Sequence, residues 1–280
     1  MSASAFPLQR SQGTFRLTFK TARGDGGLTR LEGLYQSGCL KVRLPRTDAG
    51  AEAVLINTSG GLTDGDELTG GVHWREKTSA VVSSQAAERI YRSRGAAACI
   101  RNTLSVDAGA TAAWLPQETI LFDGGRLARS LTIRLQESST LIALESTVLG
   151  RTAMGETVRG GAVRDRWEIW IGDELVLVDA SELSSAEAFR DLCDEAAVLD
   201  GATCFATLVY AANGCASQLA PLRAALADRI VVGGASCLGP LLLVRVASRD
   251  AAALRAAVLD LLSVLCARHP QVHVPRVWSL

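Results

Sequence analysis

FRLTFK, residues 15–20, sets apolar Phe15, Leu17 and Phe19 against polar Arg16, Thr18 and Lys20. This period of two is the mark of a strand with one wet face. Leu40, Val42 and Leu44 repeat the pattern around Lys41 and Arg43, as do Leu131, Ile133 and Leu135 around Thr132 and Arg134, and then Trp167, Ile169 and Ile171. Apolar runs at Val54–Ile56, Leu141–Leu144, Leu175–Val178 and Phe205–Tyr210 suit strands buried on both faces. Turn signals separate these segments: Asp25-Gly26-Gly27, Gly60-Gly61, Gly70-Gly71, Asp123-Gly124-Gly125, Gly160-Gly161 and Gly172-Asp173. Their spacing leaves room for strands and rarely for helices, so residues 12–180 are read as mostly β. No fixed internal period of about 20 to 50 residues is visible, so self-similarity gives no support for a regular solenoid or propeller.

The last third changes character. Leu254, Val258, Leu261, Leu262 and Leu265 form a helical stripe, with Asp250 as N-cap and Pro270 as stop. A second helix is expected from Ser217 to Asp228 with Pro221 in its first turn, and a shorter one from Ser184 with Glu187 completing a capping box. No Pro-, Ser- or charge-rich linker divides the chain, which is read as one domain over 1–280: β-rich to about 180, mixed over 181–270, then a tail.

Of the 280 residues, 48% are hydrophobic, enough for a substantial core. Lys and Arg total 29, as do Asp and Glu, so no basic excess exists to hold nucleic acid. The seven cysteines never form a CxxC pair, which argues against a zinc knuckle or a redox motif of that kind and fits reduced thiols in a cytoplasmic protein. MSASAFPLQRSQG does not have the form of a secretory signal, and no apolar stretch is long enough to span a membrane.

Catalytic signatures are scarce. No GxSxG elbow or GxxxxGK[ST] loop occurs, and Pro270 breaks the helix that would align His269 with His273. The loop NTSGGLTDGDELTGG, residues 57–71, gathers Asp64, Asp66 and Glu67 among glycines; Leu68 and Thr69 stand where a calcium loop needs an acid or amide and a glycine. A glycine-rich turn with solvated acids is the ordinary reading. Glu88, Glu118, Glu145 and Glu156 lie in apolar or glycine-rich surroundings, where a carboxylate must be paired or hydrated. Structural ion pairs with arginines such as Arg89, Arg92, Arg126, Arg151 and Arg159 would satisfy them; so would a hydrated polar path.

Five ordered phrases resemble the urease accessory protein family UreD, called UreH in some species. They are NTSGGLTDGDEL (57–68), SSQAAERIYRS (83–93), AAWLPQETILFDGGRLAR (112–129), ESTVLGRTAMGETVRGGAVRDRW (145–167) and PRVW (275–278). The resemblance implies a mainly β fold, a two-layered β-helix-like stack of strands with a few helices in the C-terminal third. It also implies a cytoplasmic, non-catalytic maturation factor that binds UreF and, through it, the GTPase UreG, and docks on apo-urease. No cofactor is held permanently; nickel passes transiently. Carboxylate oxygens and water are adequate transient ligands for such an ion, so Asp64, Asp66, Glu67, Glu118, Glu145 and Glu156 are the expected acids of a hydrated nickel route. The stripe of Leu254–Leu265 either contributes to the UreF surface or packs on the β stack. Two alternatives remain: a divalent-cation-dependent enzyme using the Asp64, Asp66, Glu67 loop with Glu118 or Glu156 as base, and a scaffold with no metal role.

Overall fold

The computed structural model describes residues 9–22, 27–47, 50–151, 154–185 and 189–279. Asp25 and Gly26 of the first expected turn, and the Glu187 cap, lie outside the described residues. The chain opens with an antiparallel hairpin of β1 (Gln12–Thr21) and β2 (Thr29–Gly38). A short β3 (Leu40–Arg43) then pairs antiparallel with β4 (Ala51–Asn57).

From β4 the chain coils through β5 (Glu67–Trp74), β6 (Ser79–Ser84), β7 (Glu88–Ile90), β8 (Ala98–Val106) and β9 (Thr111–Leu115). It continues through β10 (Thr119–Leu121), β11 (Arg126–Leu135), β12 (Thr140–Leu149) and β13 (Gly161–Ile171). Each turn lays one strand on each of two facing sheets. β5, β8, β11 and β13 stack in parallel in the first sheet, where β1 joins β5, and β4, β6, β9 and β12 stack in parallel in the second. A short third side closes the coil. Leu62, Ile90 of β7, Leu121 of β10 and Leu149 of β12 stand in parallel register there as one buried apolar column.

The two-layered β-helix-like architecture is thus present, with turns about 30 residues apart, although the sequence shows no repeat. The inward rows explain the discrepancy. Phe15, Gly70, Asn102, Leu131 and Trp167 are register partners across five adjacent strands. A Cβ on Gly70 would lie 2.2 Å from Asn102 Oδ1 and 2.4 Å from the Phe15 ring. Large residues therefore fill the space that small ones leave, and volume is conserved along a row while residue identity is not.

β14 (Glu174–Ser185) folds back antiparallel on β13 as the edge of the first sheet. The run Leu175–Val178, expected to be buried on both faces, sits on this edge with Leu175 42% and Val178 43% exposed. Ser184 does not open a helix. The ladder with β13 runs on to Ser185, so strand hydrogen bonds prevail there, and α1 (Phe189–Asp194) begins later.

β15 (Cys204–Ala211), β16 (Val232–Leu238) and β17 (Leu241–Ser248) extend the second sheet in the order β12, β15, β17, β16. α2 (Leu219–Ala227), with Pro221 in its first turn, and α3 (Ala251–Cys266) cover the outer face of that sheet. Asp250 caps α3 by accepting from Ala252 N at 2.8 Å. The predicted stripe Leu254, Val258, Leu261, Leu262 and Leu265 is buried against Leu115, Ile142 and Leu144. The C-terminal segment returns beneath α3. Trp278 Nε1 donates to Leu115 O at 3.0 Å, and Arg255 stacks 4.8 Å from the Trp278 ring centre while donating to Trp278 O. Among the described residues, no helix is long and apolar enough to cross a membrane.

Candidate functional site

A cavity of about 220 Å³ opens between the two sheets. Its rim is the exposed turn at Gly60 with Gln85, Ala86 and Arg89, and its floor is buried Trp114, Arg129 and Glu145. Asn57, Ser84, Asn102, Gln117 and Thr119 add amide and hydroxyl groups between rim and floor. The loop 57–71 shapes the rim through glycine. Gly61 has φ +148°, and a Cβ there would lie 2.4 Å from the Tyr91 ring.

The floor is built on strand alternation. Arg129 falls in phase with Leu127, Leu131 and Ile133 on β11, and Asp165 with Val163, Trp167 and Ile169 on β13, so both point into the core. Glu145 reaches the same space from β12 of the opposite sheet. Arg129 Nε lies 2.5 Å from Glu145 Oε2, and Arg129 Nη2 donates to Asp165 Oδ2 at 2.5 Å. Nε donates to Asp165 Oδ1 at 3.2 Å, Nη1 to Thr119 Oγ1 at 3.2 Å, and Trp114 Nε1 to Glu145 Oε1 at 3.2 Å. One guanidinium thus faces two carboxylates away from water. Burial pushes the Glu145 carboxyl up, Arg129 opposes that shift and Asp165 adds to it. Arg129 itself is held charged by the two acids in spite of its desolvation.

Nearer the rim stands Glu88. Burial raises its carboxyl to about 7, against hydrogen bonds from Asn57 Nδ2 at 3.0 and 3.1 Å and from Arg89 N. The cavity therefore carries two carboxyls with raised proton affinity, one at each end, joined by amide and hydroxyl groups. Such donors can replace part of the water shell of a hard or borderline cation. Among the described residues no three His, Cys, Asp or Glu side chains converge on a common point.

The six acids named from the sequence are dispersed. Asp66 accepts Ser11 N at 2.7 Å and Thr63 N at 2.8 Å, one bond on each oxygen, and so ties the loop to the start of β1. Asp64 accepts Ala96 N and Ser93 Oγ and faces Arg10 at 3.4 Å. Glu67 lies on the outer face of β5, 3.8 Å from Arg101. Glu118 is bound by Arg255 Nη1 at 2.7 and 3.0 Å on the helix side of the second sheet. Glu156 is clasped by Arg151 through Nε at 2.9 Å and the backbone N at 3.0 Å, and these bonds lower its carboxyl. It borders a separate hollow with Phe189, Cys193 and Thr203. Of the six, Glu145 alone lines the cavity between the sheets.

Comparison with known proteins bears on what this arrangement serves. The family model described as UreD urease accessory protein matches residues 11–279. The chain belongs to the UreD family. It is 43% identical to the urease accessory protein UreD of Sinorhizobium medicae, covering 100% of this chain and 99% of the relative. It is 42% identical to that of Chelativorans sp., covering 99% and 97%, and 41% identical to that of Agrobacterium fabrum, covering 97% and 92%.

Arg129 of the floor in this UreD chain and its partner Asp165 are not among the acids and arginines named from the sequence. The signal existed: extending the alternation of Leu131–Leu135 and Trp167–Ile171 toward the N-terminus puts both on the inward face. Glu88 was noted as an acid among apolar neighbours, and its place at the rim depends on the third side of the coil, whose strands are too short to leave a period.

Proposed function

We propose that this chain acts in urease maturation as a non-catalytic scaffold in the cytoplasm. It binds UreF and, through it, UreG, docks on apo-urease, and lets nickel pass transiently through the cavity between its sheets. Family membership supports the role, and one observation supports the route: a cavity whose largely apolar lining carries a carboxyl at each end, Glu88 near the rim and Glu145 on the floor, with amide and hydroxyl groups between them. Oxygen donors that do not converge hold a divalent ion loosely and release it. Asp64, Asp66, Glu67, Glu118 and Glu156, each bound to backbone amides or arginines away from this cavity, would serve the ion only at other points of its passage.

The test is co-expression with a urease operon that lacks its own gene of this family, reading nickel content and urease activity. Restoration by this chain is the expected result, and its absence would overturn the role. Single alanine substitutions at the six acids and at Glu88 then test the route with the complex intact. Undiminished activation in all seven variants would remove it.

A further inference from the structure

Cys215 and Cys237 stand well apart from the cavity. Cys215 begins a short 3-10 turn (Cys215–Gln218) leading into α2 and is buried; Cys237 lies on β16 and is exposed. β16 and β17 are joined by the turn Gly239-Pro240. Cys215 Sγ donates to Pro240 O at 3.3 Å, and Cys237 Sγ donates to Gly239 O at 3.7 Å. Two thiols from separate segments are thus anchored on consecutive carbonyls of one hairpin turn. Burial raises the Cys215 thiol, and Cys237 is near enough to add to that shift.

We propose that Cys237 and Cys215 form a hydroperoxide-sensitive pair that closes into an intramolecular disulfide. The exposed member reacts first. The Cys237 thiolate attacks the distal oxygen of a hydroperoxide, the O–O bond breaks, the alcohol or water leaves with a proton, and Cys237 becomes a sulfenic acid. Cys215 then attacks that sulfur as its thiolate. The S–O bond breaks, the thiol proton and the hydroxyl leave as water, and the S–S bond forms. Net, two thiols lose two electrons and two protons, and one hydroperoxide is reduced. Burial pushes the Cys215 thiol up, which suits a resolving partner better than a first nucleophile. The bond would staple the entry of α2 to the β16–β17 hairpin, next to the existing link from Arg223 Nε to Ala235 O at 3.0 Å. Cys193, Cys204 and Cys266 are buried, and burial raises the Cys204 thiol to about 12.

The experiment treats the reduced full-length protein with hydrogen peroxide, blocks remaining thiols, and maps non-reduced tryptic peptides by mass spectrometry. Trypsin cuts at Arg223 and Arg229, so Cys215 and Cys237 fall in separate peptides, Asp191–Arg223 and Ile230–Arg245. The expected product is these two peptides joined, lighter by two hydrogen atoms than their sum, and lost in both Cys215→Ser and Cys237→Ser. Alkylating Cys237 in the wild-type chain before peroxide must also abolish it, which guards against a misfolded variant. Oxidised wild type carrying only sulfinic acid at Cys237, or only a Cys237–Cys237 link between two chains, would overturn the proposal. So would a joined product that persists in Cys215→Ser, because Cys193 or Cys204 would then be the partner.

Discussion

Arg129 and Asp165 are direct register partners on adjacent parallel strands and meet through two hydrogen bonds inside the core, at 3.2 and 2.5 Å. Glu145 completes the group from the opposite sheet, 2.5 Å from the same guanidinium. The two sheets are therefore joined across the cavity floor by charge as well as by apolar packing. A buried group of this kind is weak evidence for stability in itself, because desolvation offsets most of its attraction, but losing one member is costly.

Arg129→Met should on this account lower stability by about 3–5 kcal/mol, since two carboxylates are left in the core without their counter-charge. Replacing Arg129, Glu145 and Asp165 together by apolar residues of similar volume should recover most of that loss. Urea unfolding of the two variants checks this. A single variant as stable as wild type would show that the floor is not closed to water. Nickel delivery gives a separate readout: the apolar triple variant should fold yet activate urease poorly if Glu145 serves the route.

The C-terminal clasp gives a second prediction. Arg255 binds Glu118, Gln117 Oε1 and the carbonyls of Val277 and Trp278, while Trp278 fills the space beneath α3. Trp278→Ala should cost about 3–5 kcal/mol through the cavity it creates. Glu118→Gln keeps the shape and loses one charged partner of a part-buried pair, so its effect should be smaller, about 1–2 kcal/mol. Chemical denaturation ranks the two, and a larger effect for Glu118→Gln would contradict the assigned weights.

Gly70 offers a third. An added methyl would collide with Phe15 and Asn102 on the wall of the cavity, so Gly70→Ala should destabilise by about 1–3 kcal/mol. Pairing it with Phe15→Leu should return part of that loss if volume is shared along the row. A double variant no better than the single one would refute row-wise compensation.

The strands and the long helix were legible because alternation and the 3.6-residue stripe survive in single segments: Phe15–Phe19 lies in β1, and Leu254–Leu265 lies in α3. The burial of Leu175 and Val178 was not, because an apolar run reads alike on an edge and in the centre of a sheet. Contacts across long separations left no trace either. Glu118 meets Arg255 across 137 positions, and nothing near Glu118 distinguishes a helix-side ion pair from a cavity-lining acid. Gly70 and Asn102 hid the solenoid, since a row that conserves volume erases the repeat that self-comparison needs.

Glu88 yields the prediction most sensitive to solution conditions. Its carboxyl is raised by burial from 4.5 to about 7, so the folded chain binds a proton that the unfolded chain has released between those values. The stability tied to neutral Glu88 is fully present below the unfolded value and is lost as pH rises through the folded one. Glu88→Gln cannot titrate. Relative to wild type, it should therefore gain stability as pH is raised from about 4.5 to 8, by about 3 kcal/mol at most. The hydrogen bonds from Asn57 Nδ2 to both oxygens mean that the amide also loses one acceptor, a deficit independent of pH. The informative quantity is therefore the slope of the difference between the two proteins, measured by urea unfolding at several pH values. A difference that stays constant across this range would show that Glu88 is ionised and hydrated in the folded protein, and that its side of the cavity is open to water.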